Sequence, residues 1–184
     1  MRMLVDYLRL MNKYCIDAVI IVEGKSDVSY LSSFIDSNFF ITNGYDISEE
    51  KLDFLSRVAK VNKVIIFTDN DKAGNEIQCK IQTKINGVIA VKSAKLIRNN
   101  YKKAGIAETE KEEILKVLKP YLTDSVSHNN YDLSRVISLS KNPEEVRKHI
   151  INDYRLIEGN NKYLNDQLNM LKVDVNEFKQ KYGN

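Results

Sequence analysis

Val64-Ile65-Ile66-Phe67-Thr68-Asp69-Asn70-Asp71 is the stretch on which the fold turns. Four apolar residues, three of them β-branched, run straight into a pair of aspartates. So short an apolar run, without polar alternation, reads as a buried strand. Upstream the same arrangement recurs, where Ala18-Val19-Ile20-Ile21-Val22 leads into Glu23-Gly24-Lys25-Ser26-Asp27. Each acidic cluster therefore begins where a buried strand stops. In a parallel sheet those strand ends share one edge, where ligands and catalytic groups gather.

Outward from these two runs, strands alternate with helices. Strand Ala18–Val22 leads to a helix over Ser26–Ser37, and a short strand Phe39–Thr42 passes through Asn43-Gly44 to a helix over Ser48–Lys60. Ser48 suits an N-cap, with Glu49 and Glu50 favouring the helix dipole in the first turn. Strand Lys63–Thr68 precedes a helix over Ala73–Lys84, and Asn86-Gly87 breaks the chain before strand Val88–Val91. Four strands alternating with helices define an α/β class with a mostly parallel sheet.

Beyond Val91 the pattern changes. Lys92–Ala104 is basic and poorly periodic, a loop. Thr109 and Glu112 have capping-box spacing for a helix to about Leu118, before Pro120. Thr123–Asn130 is polar and reads as a linker. Only helices follow, one starting at Asn142-Pro143 and broken at Glu158-Gly159-Asn160, the last capped by Asp174 with Glu177. Leu4, Leu8 and Met11 have helical spacing at the start. The expected organisation is a helical extension over 1–14, an α/β domain over 15–122, a linker over 123–130 and a helical C-terminal module over 131–184.

Hydrophobic residues make up 43% of the 184, enough to bury a core and to argue against disorder. The net charge of +3 hides an uneven distribution. Ile77–Ala107 contains no Asp or Glu but carries Lys80, Lys84, Lys92, Lys95, Arg98, Lys102 and Lys103, with Tyr101 among them. Asp46, Glu49, Glu50 and Asp53 form an acidic stretch. Cys15 and Cys79 make no CxxC, and with two histidines a structural zinc site is not expected. Asp6 and Arg9 interrupt the apolar residues of the N-terminus, which argues against a signal peptide, and no segment approaches a membrane span. A cytoplasmic setting is the default.

The acidic residues carry the chemistry. A lone Glu23 would be an ordinary surface carboxylate, and Asp is a common turn residue after strands. The combination is more informative. Asp69 and Asp71 flank one residue, so both can turn to one cation, and Glu23 joins them if the two strands are neighbours. One Glu and two Asp supply the charge and oxygen ligands for Mg²⁺. Phosphodiester cleavage needs an activated water, stabilised phosphate charge and a proton for the leaving oxygen. Glu23 is the candidate general acid/base, provided its pKa is raised. Gly24 permits close backbone approach to a phosphate, Lys25 can neutralise one, and Gly74 lets its helix start tightly.

Val22-Glu23-Gly24-Lys25-Ser26-Asp27 together with Phe67-Thr68-Asp69-Asn70-Asp71-Lys72-Ala73-Gly74 resembles the two signatures of the Toprim domain. Thr42-Asn43-Gly44, Lys103-Ala104-Gly105-Ile106-Ala107-Glu108 and the run from Glu158 through Leu171 extend a likeness to the small Toprim endonucleases that mature 5S ribosomal RNA. The resemblance implies a Toprim sheet plus a small helical domain. It also implies a catalytic Glu23, metal ligands among Glu23, Asp69 and Asp71, and Mg²⁺ as cofactor. The substrate implied is double-stranded precursor 5S RNA, shaped by a ribosomal protein that binds 5S RNA. The helical part departs from the family at Ser140-Lys141-Asn142-Pro143 and Arg147-Lys148.

For RNA contact the candidates are Lys25, Lys92, Lys95, Arg98, Lys102 and Lys103, because A-form RNA is recognised largely through phosphates and 2′-hydroxyls. Asn160 and Lys162 are added as a phosphate-contacting helix start, where a mere helix break is the competing explanation. Tyr154, Tyr163 and Phe178 are read as core. Two other functions fit parts of the pattern. One is a phosphotransferase using Asp69 as nucleophile and Asp71 as acid, and the other is a non-catalytic RNA-binding assembly factor.

Overall fold

The computed structural model describes residues 13–44, 47–92 and 105–183. The expected N-terminal helix lies outside them, save that Tyr14 opens the first strand. Among the described residues four strands form one sheet: β1 (Tyr14–Val22), β2 (Ile35–Ile41), β3 (Val64–Thr68) and β4 (Ile89–Lys92). Their order is β2-β1-β3-β4 and every neighbouring pair is parallel. Val19, Ile20 and Ile21 of β1 face Val64, Ile65 and Ile66 of β3, so both acidic segments leave adjacent strands at one edge.

Helices cover both faces, which is why β3 and the second half of β1 are continuous apolar runs. On one face Ile16, Ala18, Ile20 and Val22 pack with Ile65 and Phe67 against Leu31 of α1 (Lys25–Leu31) and Ile114 and Leu118 of α4 (Lys111–Leu118). On the other, Val19, Ile21, Phe40 and Ile66 meet α2 (Glu49–Val61) through Phe54 and Leu55, and α3 (Lys72–Lys84) through Ile77 and Ile81. Each such fully buried side chain contributes about 1.5–3 kcal/mol.

The same second core continues into the C-terminal helices α5 (Leu133–Leu139), α6 (Pro143–Tyr154), α7 (Asn161–Met170) and α8 (Val175–Tyr182). Tyr131, Ile150, Leu164, Leu168 and Phe178 are buried within it, and Tyr154 and Tyr163 pack against it. The polar stretch 123–130 is tied down along its length. Thr123 N–H donates to Cys15 O (2.8 Å), His128 Nε2 lies 2.9 Å from Asp36 Oδ1, and Asn129 N–H donates to Asn169 Oδ1 (2.7 Å). Among the described residues no helix is long and apolar enough to cross a membrane.

Several element boundaries differ from the sequence expectation; β1, for one, begins at Tyr14 rather than Ala18. The helix expected over Ser26–Ser37 stops at Leu31, and β2 begins at Ile35. Ser32 and Ser33 turn their hydroxyls back onto the carbonyls of Ser29 and Tyr30, which competes with helix continuation. Ile35 is buried as the first residue of β2 instead. The capping box at Thr109 and Glu112 is also absent. A 3-10 turn occupies Ile106–Glu108, α4 starts after Glu110, and the Thr109 hydroxyl donates back to Gly105 O (2.8 Å).

Candidate active site

Glu23 follows the last residue of β1, and Asp69 follows the last of β3. The β1–β3 pairing sets them side by side, and Glu23 Oε1 accepts the backbone N–H of Asp69 at 3.0 Å. Asp71 caps α3, its Oδ1 accepting from Gly74 N–H at 2.8 Å. Asp69 Oδ1 accepts from Ile106 N–H at 2.7 Å, which brings the 105–109 turn into the site.

Two acids missing from the sequence expectation stand here as well. Asp27 is 7% exposed, and its Oδ2 accepts from Gly24 N–H at 2.9 Å. Glu108 Oε2 accepts from Gly105 N–H at 2.9 Å. Both follow a glycine by three residues, a reach-back spacing that is the one sequence signal they shared. The bond back to Gly105 gives Glu108 an adequate local role, so its proximity to Asp69 is not legible in the sequence.

These carboxylates repel one another. Burial raises the pKa of Glu23 most, and the charges of Asp69, Asp71 and Asp27 add to it, against the lowering effect of the Asp69 N–H. Asp69 is raised by burial and by Asp27, Asp71 and Glu108, partly offset by the Ile106 N–H. Asp27 is raised by burial and by Glu108. Gly74 makes the crowding possible. A Cβ there would lie 2.2 Å from Asp69 O and 2.9 Å from Glu23 Oε1.

Donor chemistry suits a hard divalent cation, since the acidic side chains gathered here offer oxygen ligands. Glu23, Asp69 and Asp71 each give one oxygen to a backbone N–H and keep a second that takes none of these bonds. Among the described residues no three acidic, His or Cys side chains stand at the spacing of a formed metal centre. The fit therefore rests on ligand type and proximity.

Of the basic candidates, Lys25 is exposed as the first residue of α1, directly after Gly24. Lys92 ends β4 opposite Thr68, at the same edge, and its ammonium donates to Asn75 Oδ1. Lys95, Arg98, Lys102 and Lys103 lie outside the described residues. The Asn160 side chain caps α7 by accepting from Tyr163 N–H at 2.8 Å, and Lys162 pairs with Asp166 at 2.9 Å. Both are thus engaged within α7.

A parallel sheet with a Glu after one strand and Asp-x-Asp after its neighbour is the arrangement of a Toprim domain, and the Toprim domain family matches residues 18–109. The likeness to individual proteins reaches further. Ribonuclease M5 of Borreliella burgdorferi is 32% identical over 170 residues, covering 89% of this chain and 92% of that protein. Ribonuclease M5 of Mycoplasma genitalium is 30% identical over 162 residues, with 86% and 90% covered. Ribonuclease M5 of Mesoplasma florum is 32% identical over 170 residues, with 90% and 97% covered. The chain belongs to the ribonuclease M5 family of Toprim proteins.

Proposed function

We propose that this chain is a Mg²⁺-dependent endoribonuclease that cuts double-stranded precursor 5S ribosomal RNA to its mature ends in the cytoplasm. The observation that carries the proposal is the direct bond between Glu23 and the backbone of Asp69, with Asp71 two residues on, in a member of this family. Glu23, Asp69 and Asp71 would hold the cation. Bound there, Mg²⁺ supplies positive charge to the scissile phosphate and acidifies the attacking water. Burial raises the pKa of Glu23 in the cation-free chain, and Glu23 would serve as general acid/base.

Lys25 and Lys92 flank the acidic edge and would take the phosphates next to the cut. Lys95, Arg98, Lys102 and Lys103 would extend that track, with Asn160 and Lys162 as more distant contacts. A ribosomal protein that binds 5S RNA would shape the substrate. The phosphotransferase alternative leaves Glu23 without a role, and a non-catalytic assembly factor leaves the crowded carboxylates without one.

The test incubates purified protein with precursor 5S RNA, with and without Mg²⁺ and that ribosomal protein, and maps the ends. Mg²⁺-dependent production of mature ends is expected, and Glu23→Gln should abolish it while RNA still binds. A phosphoaspartate trapped at Asp69 would favour the phosphotransferase instead. The double substitution Lys102→Ala, Lys103→Ala should flatten the salt dependence of binding by about one unit of slope per lost phosphate contact. An unaltered slope would remove those lysines from the RNA track.

A further inference from the structure

Asp69 is held from two sides. The sheet fixes its backbone, but its carboxylate is aimed by the N–H of Ile106, which belongs to a turn. That turn closes on itself, since Gly105 N–H donates to Glu108 Oε2 (2.9 Å) and the Thr109 hydroxyl donates to Gly105 O (2.8 Å). The Ile106 side chain is buried in the core beneath it, and from outside Tyr30 OH donates to Thr109 O at 2.7 Å. Tyr30 stands on α1, the helix that begins immediately after Glu23-Gly24. A circuit thus runs from Glu23 along α1 to Tyr30, across to Thr109, through the turn to Ile106 and onto Asp69. The Glu23–Asp69 bond closes it.

We propose that Tyr30 is a positioning residue for the cation site, fixing the turn that aims the Asp69 carboxylate. The proposal rests on the reading of Asp69 as a cation ligand. Burial and the nearby Glu110 and Glu112 keep the phenol protonated, so it stays a donor. Its ring packs edge-on against Phe34 at 5.3 Å, a contact that phenylalanine preserves. Tyr30→Phe therefore removes the hydrogen bond and little else.

The experiment titrates Mn²⁺ into the full chain by calorimetry without RNA, for the native protein, Tyr30→Phe, Thr109→Val and Asp69→Asn. Cleavage of precursor RNA is measured in parallel across Mg²⁺ concentrations. Tyr30→Phe should weaken cation binding about three- to tenfold, the reach of one net hydrogen bond. Excess Mg²⁺ should restore its cleavage rate, whereas a merely loosened fold would be slow at every concentration. Thr109→Val, which opens the same turn from within, should shift the titration in the same direction and serves as the deciding variant if Tyr30→Phe folds poorly. Native cation affinity in the folded variants, alongside loss of binding in Asp69→Asn, would overturn the role of Tyr30. Native affinity in Asp69→Asn would overturn the ligand reading itself, and this proposal with it.

Discussion

At the scale of single residues the site is defined by crowding. Gly74→Ala would drive a methyl into the Asp69 carbonyl, which is backbone and does not yield easily. A loss of about 1–3 kcal/mol is expected by urea denaturation, as for other overpacked positions. Gly105→Ala meets the Glu108 and Asp69 carboxylates at 2.6 and 3.0 Å, so it should displace acids and impair cleavage more than stability. The raised carboxyls also make stability depend on pH with a definite sign. Glu23, Asp27 and Asp69 bind protons more tightly folded than unfolded, so their contribution is fully present below the ordinary carboxylate range and lost as pH rises through their raised values. Without divalent cation, Glu23→Gln or Asp69→Asn should melt higher than the native chain at pH 8, and the gain should vanish at pH 4. A lower melting point at pH 8 would contradict it. Glu23, Asp69 and Asp71 were legible because each stands just past an apolar run. Asp27 and Glu108 were not, because their importance depends on two turns meeting in space, and each has an adequate local explanation.

Among elements, the strands were readable where both faces are buried and the helices where a cap is strong. Ser48 accepts from Lys51 N–H, and Asp174 accepts from both Asn176 and Glu177 N–H, as their positions suggest. The end of α1 was not readable, because Ser32 and Ser33 choose between continuing a helix and bonding back to it, and burial of Ile35 in β2 decides. Asn160 illustrates a side chain with two possible uses. As the cap of α7 it should cost about 1 kcal/mol when changed to alanine, measured by thermal or urea unfolding. Asn160→Asp keeps the cap and adds negative charge. RNA affinity that falls in the aspartate variant while stability holds would support a phosphate nearby, and unchanged affinity would leave Asn160 as a cap alone.

For the whole molecule, the C-terminal helices and the sheet share one apolar interior. Phe178, fully buried against Tyr131 at 5.2 Å, is far in sequence from the acidic edge yet belongs to the same buried cluster as β1 and β3 residues. Phe178→Ala should cost about 3–5 kcal/mol and lower the midpoint of a single transition, with far-ultraviolet circular dichroism and tyrosine fluorescence coinciding. Two separated transitions would mean that the helices melt apart from the sheet. The all-parallel pairing has a consequence for synthesis. β1 pairs with β2 and with β3, and each follows it in the chain across a helical crossover, so its ladders form only after those later residues are made. A nascent chain halted before Asp69 has no partner for Glu23, and one halted before Phe178 lacks part of the interior behind the sheet. Assembly of the acidic pair thus follows closure of the crossover and cannot precede it.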